Sequence, residues 1–453
     1  MGVVGPGWAG RPAAGGRAVG RPAGRSRAGL RARATGRAAD TGWRDLTAGG
    51  SQGNLNPMSS ESTSPSPVPA AGPGTDGRKP RVAVVFGGRS SEHAISVVTA
   101  GAVLSAIDRT KYEVLPIGIT TEGRWALTAD APERMAISDG TLPNVDQLSE
   151  TPEGGVLLPV DPGSREVVYS EPGSVPKALG DVDVVFPVLH GPYGEDGTLQ
   201  GLLELSGVPY VGAGVLASAV GMDKEYMKRV FDSFGLPIGP YEVIRARDWK
   251  LGPEHDRGAV ARKKIVDFAA ENGLPIFVKP ARAGSSMGIS KVDDLADLDA
   301  AVEEARRHDP KIVVEALLRG REIECGVLEY EDGPRASVPA EIPPVTAHEF
   351  YDFEAKYIDS ASGIVPAPLT AEETARVQEM AIAAFDATGS EGLARVDFFL
   401  LDSGELVINE INTMPGFTPI SMYPRMWQES GVTYPELVDR LIQAALNRPT
   451  GLR

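Results

Sequence analysis

One stretch constrains the fold more than any other. Arg81-Val82-Ala83-Val84-Val85-Phe86 is an almost unbroken apolar, β-branched run that ends in Gly87-Gly88. A strand with apolar residues on both faces must be covered on both faces, which is the condition of a parallel sheet sandwiched by helices. Helical signals follow from Ser96, and apolar runs at 112–119, 182–189 and 208–211 alternate with helical stretches. The pattern predicts an α/β domain over residues 80–212.

Upstream, the chain changes character. Residues 1–79 consist mainly of Gly, Ala, Arg, Pro and Ser without an apolar period, so a disordered low-complexity head and linker is expected. The first 57 residues hold nine Arg, no Lys and two Asp, a charge of +7, against -16 for the whole chain and therefore -23 for the remainder. So acidic a folded part disfavours a phosphate backbone on any broad face, and no nucleic-acid partner is expected. The head could be read as a basic arm or a transit peptide, but its Gly and Pro content opposes the amphipathic helix of the latter. The simpler expectation is a start at Met58, ahead of a Ser/Pro linker. No run of about 18 apolar residues occurs, so no membrane span is expected. A single cysteine, Cys325, cannot close an internal disulfide, which points to the cytoplasm.

Downstream, residues 213–318 read as a first α+β lobe, with a charged helix at 224–234 and strands ending near 280 and 318. Residues 319–448 read as a second, with a polar loop at 347–365, a helix at 371–389 and a hairpin at 394–411.

Gly212-Ala213-Gly214-Val215-Leu216-Ala217 fits a dinucleotide fingerprint, but it follows the last strand of its domain and no acidic residue closes a second strand, so a nicotinamide site is rejected. A Walker A loop is absent. His190-Gly191-Pro192-Tyr193-Gly194-Glu195-Asp196-Gly197 follows an apolar strand at the sheet edge where open α/β sheets bind ligands; its other reading is a tight turn whose His caps a helix. Lys279 ends a strand and precedes Ala283-Gly284-Ser285-Ser286-Met287-Gly288, a cation beside small residues whose N–H groups suit phosphate oxygens.

Acids occur at Arg395-Val396-Asp397 and Glu410-Ile411-Asn412. Spacing of two places each pair on one strand face, and a two-residue turn at Ser403-Gly404 would pair positions whose numbers sum to 807. Asp397 then faces Glu410 and Arg395 faces Asn412, with Cβ atoms about 5 Å apart, close enough for two carboxylates and an amide to hold a divalent cation. The alternative, a salt-bridged surface hairpin, must recruit Arg395 alone to neutralise both acids. With Lys279 and Lys356, the set describes a site for nucleotide phosphates and magnesium, and ATP-dependent activation of a carboxylate.

Over roughly residues 81–448 the chain resembles the D-alanine–D-alanine ligases of the ATP-grasp superfamily. The resemblance rests on GGRSSEH at 87–93, HGPYGEDGTLQG at 190–201, Met222-Asp223-Lys224, residues 278–288, Glu354-Ala355-Lys356-Tyr357, residues 394–397 and 409–416. It departs at Ala94, where a second acid often follows, and at Arg282-Ala283. It implies a Rossmann-like N-terminal domain and two ATP-grasp lobes, the second with the metal hairpin. Lys224, Lys279 and Ser286 would meet phosphates, Glu315 the adenine edge, Glu322 the ribose and Lys356 the γ-phosphate. Two Mg²⁺ or Mn²⁺ ions would sit on Asp397, Glu410 and Asn412. Glu92 would receive the ammonium of the first D-alanine, with Ser285 and Tyr357 hydrogen-bonded to it, and His190 would lie near its carboxylate. Arg395 and the Gly416 N–H would stabilise the tetrahedral oxyanion, and Ser421 and Met422 would bind the second D-alanine. A homodimer is expected. An acceptor other than D-alanine, such as D-lactate, is the alternative, set by the loop at Tyr357; a non-catalytic nucleotide-binding regulator is the third reading.

Overall fold

The structure, a computed structural model, describes residues 77–137, 141–150, 153–343 and 363–448. Nearly all of the expected head, together with Lys356 and Tyr357, lies outside the described residues.

Strand Arg81–Gly87 is central, pairing in parallel with Glu113–Ile119 on one side and Val184–Pro187 on the other, with Trp125–Leu127 antiparallel at one edge. Val82, Val84 and Phe86 join one apolar cluster while Ala83 and Val85 join another, so both faces are covered as the sequence demanded. Gly87 closes the strand at φ +88, and a Cβ there would lie 2.3 Å from the Ile119 carbonyl oxygen. Only glycine allows that approach, which sends the chain into helix His93–Ala106 with Glu92 at its start. Residues 208–211, expected as a strand, make a single bridge, Val185 to Tyr210, before the chain leaves the domain. A small antiparallel sheet of Gly155–Leu157, Glu166–Ser170 and Lys177–Asp181 was not expected from the sequence.

A second sheet is antiparallel, in the order Ser290–Val292, Ile276–Pro280, Lys311–Ala316, Tyr241–Arg245. Helices Asp256–Asn272 and Leu298–His308 cover it through Ile265, Phe268, Val302 and Ala305, which pack on Ile276, Val278, Ile312 and Val314. The third sheet runs Gly333–Ala336, Gly320–Tyr330, Leu393–Leu401, Leu406–Asn412, with Ala340–Ile342 also paired to Gly320–Tyr330. Helix Ala371–Thr388 lies against it, started by a Thr370/Glu373 capping box and stopped at Gly389.

One apolar cluster contains Phe86 and Phe186 from the first sheet together with Phe417, Tyr423, Trp427 and Leu441 from the end of the chain, and the Phe186 and Phe417 rings are 6.1 Å apart. This shared core brings the carboxyl edge of the first sheet beside the turn at Thr413–Phe417.

The hairpin differs from the expectation in its turn. Asp397 does pair with Glu410, and Arg395 with Asn412. The turn, however, has three residues: Leu401 N donates to Glu405 O at 2.8 Å, and Gly404 takes φ +84. Near the turn the register is Leu400 to Leu406 and Phe398 to Ile408, one residue off the expectation. A bulge at Asn409 restores it. Without the bulge Glu410 would slip to the opposite face of the sheet.

Candidate active site

All fifteen expected site residues that the structure describes line one cleft of about 590 Å³. That volume is typical for a small-molecule or cofactor site.

At one end, Lys279 closes strand Ile276–Pro280 and reaches Glu315 on the neighbouring strand, with Nζ 2.5 Å from Oε2. The other Glu315 oxygen takes Lys228 at 3.0 Å. Burial opposes the charge of Glu315, but the ammonium groups of Lys228 and Lys279 outweigh it and hold the carboxyl well below the usual carboxylate range. Lys228 escaped the sequence reading. The signal was its spacing of four from Lys224 on a helix, Lys224–Ser233, that Asp223 caps by accepting from the N–H groups of Glu225 and Tyr226.

The glycine-serine loop carries two non-glycine residues in the left-handed region, Ser285 at φ +45 and Ser286 at φ +59. Such strain persists where neighbours over-determine the backbone, commonly at ligand clamps. Here the Ser285 hydroxyl donates to Glu92 Oε1. Glu92 is only 4% exposed, and the hydrogens of Gly284 and Gly191 face its other oxygen, since a Cβ at either would come within 3 Å of it.

On the hairpin, Arg395 holds Asp397 through two bonds of 2.7 Å, and Asn412 donates to Asp397 Oδ2 at 3.0 Å. Glu324 lies 3.4 Å from Arg395 Nε. Glu410 receives Lys224 at 2.9 Å. The facing carboxylates are therefore each neutralised by a separate cation, where the sequence reading considered Arg395 alone. Among the described residues no three His, Cys, Asp or Glu side chains gather as a metal cage. The two carboxylates and one amide still fit a hard cation that draws its remaining oxygens from phosphates and water, the usual condition of Mg²⁺.

His190 is buried, with Nδ1 3.2 Å from the Met414 carbonyl and Nε2 3.3 Å from the Thr99 hydroxyl. A carbonyl only accepts, so Nδ1 carries the proton and Nε2 accepts from Thr99. Burial keeps the ring neutral, against the pull of Glu92. Both nitrogens are thus committed to protein groups, and His190 braces the Met414 turn. Glu195, in the same motif but not singled out from sequence, accepts from Gly191 N at 2.6 Å; burial, with Glu92 nearby, pushes its carboxyl up to about 8. Gly416 lies on the turn, Ser421 starts helix Met422–Glu429 with its hydroxyl 2.8 Å from that of Thr418, and Glu322 lies on strand Gly320–Tyr330. Cys325 is buried and not disulfide-bonded, and no helix among the described residues is long and apolar enough to cross a membrane.

Residues 81–213 match the model of the D-ala D-ala ligase N-terminus, and residues 230–443 that of the D-ala D-ala ligase C-terminus. A D-alanine–D-alanine ligase of Streptomyces griseus subsp. griseus is 77% identical over 396 residues, covering 87% of this chain and 100% of the relative. That of Streptomyces coelicolor is 80% identical over 374 residues, covering 83% and 95%. Among solved structures, the D-alanine–D-alanine ligase of Coxiella burnetii superposes with a TM-score of 0.68 at 34% identity, covering 82% of this chain and 94% of that one. The VanG D-Ala:D-Ser ligase of Enterococcus faecalis gives 0.68 at 32% identity, covering 81% and 100%. With both halves matched and the expected residues gathered in one cleft, the chain belongs to the D-alanine–D-alanine ligase family.

Proposed function

We propose that this cleft performs the ATP-dependent joining of two D-alanines to D-alanyl-D-alanine, for peptidoglycan precursor synthesis, with the residue roles that follow. The observation that carries the reading is the meeting, in one cleft, of phosphate-type cations (Lys224, Lys279), the Asp397–Glu410 pair and the Glu92–Ser285 contact. In this reading residues 213–318 and 319–448 form two ATP-grasp lobes with the nucleotide between them.

Glu92 binds the ammonium of the first D-alanine, oriented by Ser285 and Tyr357. The carboxylate of that D-alanine attacks the γ-phosphorus, ADP leaves, and an acyl phosphate forms. Lys224, Lys279, Ser286 and Lys356 orient the phosphates, while Glu315 and Glu322 serve the adenine and ribose. Asp397, Glu410 and Asn412 would hold two Mg²⁺ or Mn²⁺ ions, which neutralise phosphate charge when bound. The second D-alanine, with its carboxylate at Ser421 and Met422, brings its amine to the acyl carbon; the amine loses a proton and phosphate departs. Arg395 and the Gly416 N–H oppose the charge that grows on the tetrahedral oxygen. His190 and Glu195 keep the Met414 turn in place beside it. Exclusion of water protects the acyl phosphate from hydrolysis. We read the enzyme as a cytoplasmic homodimer.

The acceptor is tested by competition among D-alanine, D-lactate and D-serine at pH 7 with labelled D-alanine in the first site. D-Alanyl-D-alanine should dominate. Predominance of D-alanyl-D-lactate or D-alanyl-D-serine would assign a different acceptor.

A further inference from the structure

Helix Met422–Glu429 carries Arg425 one turn from its start, a residue to which the reading above gives no role. Among the described residues its guanidinium meets Gly363 and Met422. Nη2 donates to the Gly363 carbonyl at 2.9 Å, and Nη1 lies 3.7 Å from Met422 Sδ. Gly363 presses so closely on Met422 that a Cβ at this glycine would stand 2.5 Å from Sδ and 2.7 Å from Cε. The next residue, Ile364, exchanges backbone hydrogen bonds with Glu341 at 2.9 and 3.0 Å, and Glu341 in turn holds Arg321 through both carboxylate oxygens. The backbone at 363–364 is therefore pinned from one side by a strand and from the other by Arg425. Met422 lies against it and also faces the cleft.

A methionine has three rotatable side-chain bonds and, left to itself, fills gaps in several conformations. At a substrate wall that freedom would cost binding, because each conformation lost on binding weakens affinity. The planar fork of an arginine holds two groups at fixed separation, which a lysine ammonium does less well.

We infer that Arg425 is a positioning residue for the acceptor subsite, fixing the Met422 side chain and the Gly363 backbone as the wall against which the second D-alanine binds. This rests on the reading of Ser421 and Met422 as that subsite.

Initial rates over a wide range of D-alanine resolve two KM values, one for each bound molecule. Arg425→Leu should raise the acceptor KM about tenfold, the cost of having to immobilise one more rotamer-rich side chain, Met422, on binding. The KM values for ATP and for the first D-alanine should stay unchanged, and Arg425→Lys should recover part of the loss. Gly363→Ala, which displaces Met422 while leaving Arg425 intact, should raise the same KM and so keeps the test open if Arg425→Leu folds poorly. Ser421→Ala is the control on the underlying reading: an unchanged acceptor KM in that variant places the subsite elsewhere and removes the basis of the inference. If Ser421→Ala raises the acceptor KM but Arg425→Leu and Gly363→Ala raise none, or raise all three KM values alike, the positioning role is overturned.

Discussion

Asp397 stands opposite Glu410 across the hairpin, and each carboxylate has its own cation, Arg395 for the first and Lys224 for the second. Lys224 comes from the start of a helix 186 residues earlier in sequence, so the pair joins two parts of the chain as well as two strands.

Glu410→Gln keeps side-chain volume but removes a charge that serves both Lys224 and the proposed metal. Turnover should fall by at least about a hundredfold, with the far-ultraviolet circular dichroism unchanged and little recovery in excess Mn²⁺. Near-normal rates at saturating magnesium would remove the hairpin from the metal site.

Lys228→Met leaves Glu315 with Lys279 as its cation. Removing one partner from a buried carboxylate should cost about 2 kcal/mol in urea unfolding. A change near zero would mean that Lys279 alone compensates Glu315.

Glu195 gives a pH signature. Its folded carboxyl is raised from an ordinary 4.5 to about 8, so the folded state holds a proton that the unfolded state has released. The group therefore lowers stability progressively as pH climbs from about 4.5 to about 8, and costs nothing below that window. Glu195→Gln should be more stable relative to the parent at pH 8 than at pH 5.5, read as the difference in Tm. An equal difference at both values would place the carboxyl in a solvated, unshifted state.

The His190 tautomer is also testable. Asn offers an amide N–H near the place of Nδ1 and can still serve the Met414 carbonyl, whereas Gln places its amide nearer Nε2. His190→Asn should retain several-fold more activity than His190→Gln. The reverse order would show that the Thr99 contact matters more than the Met414 brace.

Much of this was legible from sequence because the signals were local and periodic. The run at 81–86 announced a doubly covered strand, and the i, i+2 acids announced a shared face. The hairpin pairing came out right although its turn was misjudged, because a three-residue loop and a bulge at Asn409 offset each other. No periodic pattern marks a single extra residue. Lys228 and Glu195 were missed for another reason: their chemistry comes from partners distant in sequence, Glu315 for the first and Glu92 for the second. The sheet at 155–181 consists of short, half-exposed strands; Pro162-Gly163 and Pro172-Gly173 mark turns between them, but no apolar alternation sets the strands themselves apart from a loop.

In the proposed reaction a D-alanine carboxylate attacks phosphorus before a peptide bond forms. D-Alanine labelled with oxygen-18 in its carboxylate, incubated with unlabelled ATP and the purified protein, tests this directly. The released phosphate should carry one labelled oxygen for each dipeptide made, with the other retained in the peptide carbonyl. Dipeptide formed alongside unlabelled phosphate would contradict the acyl-phosphate route.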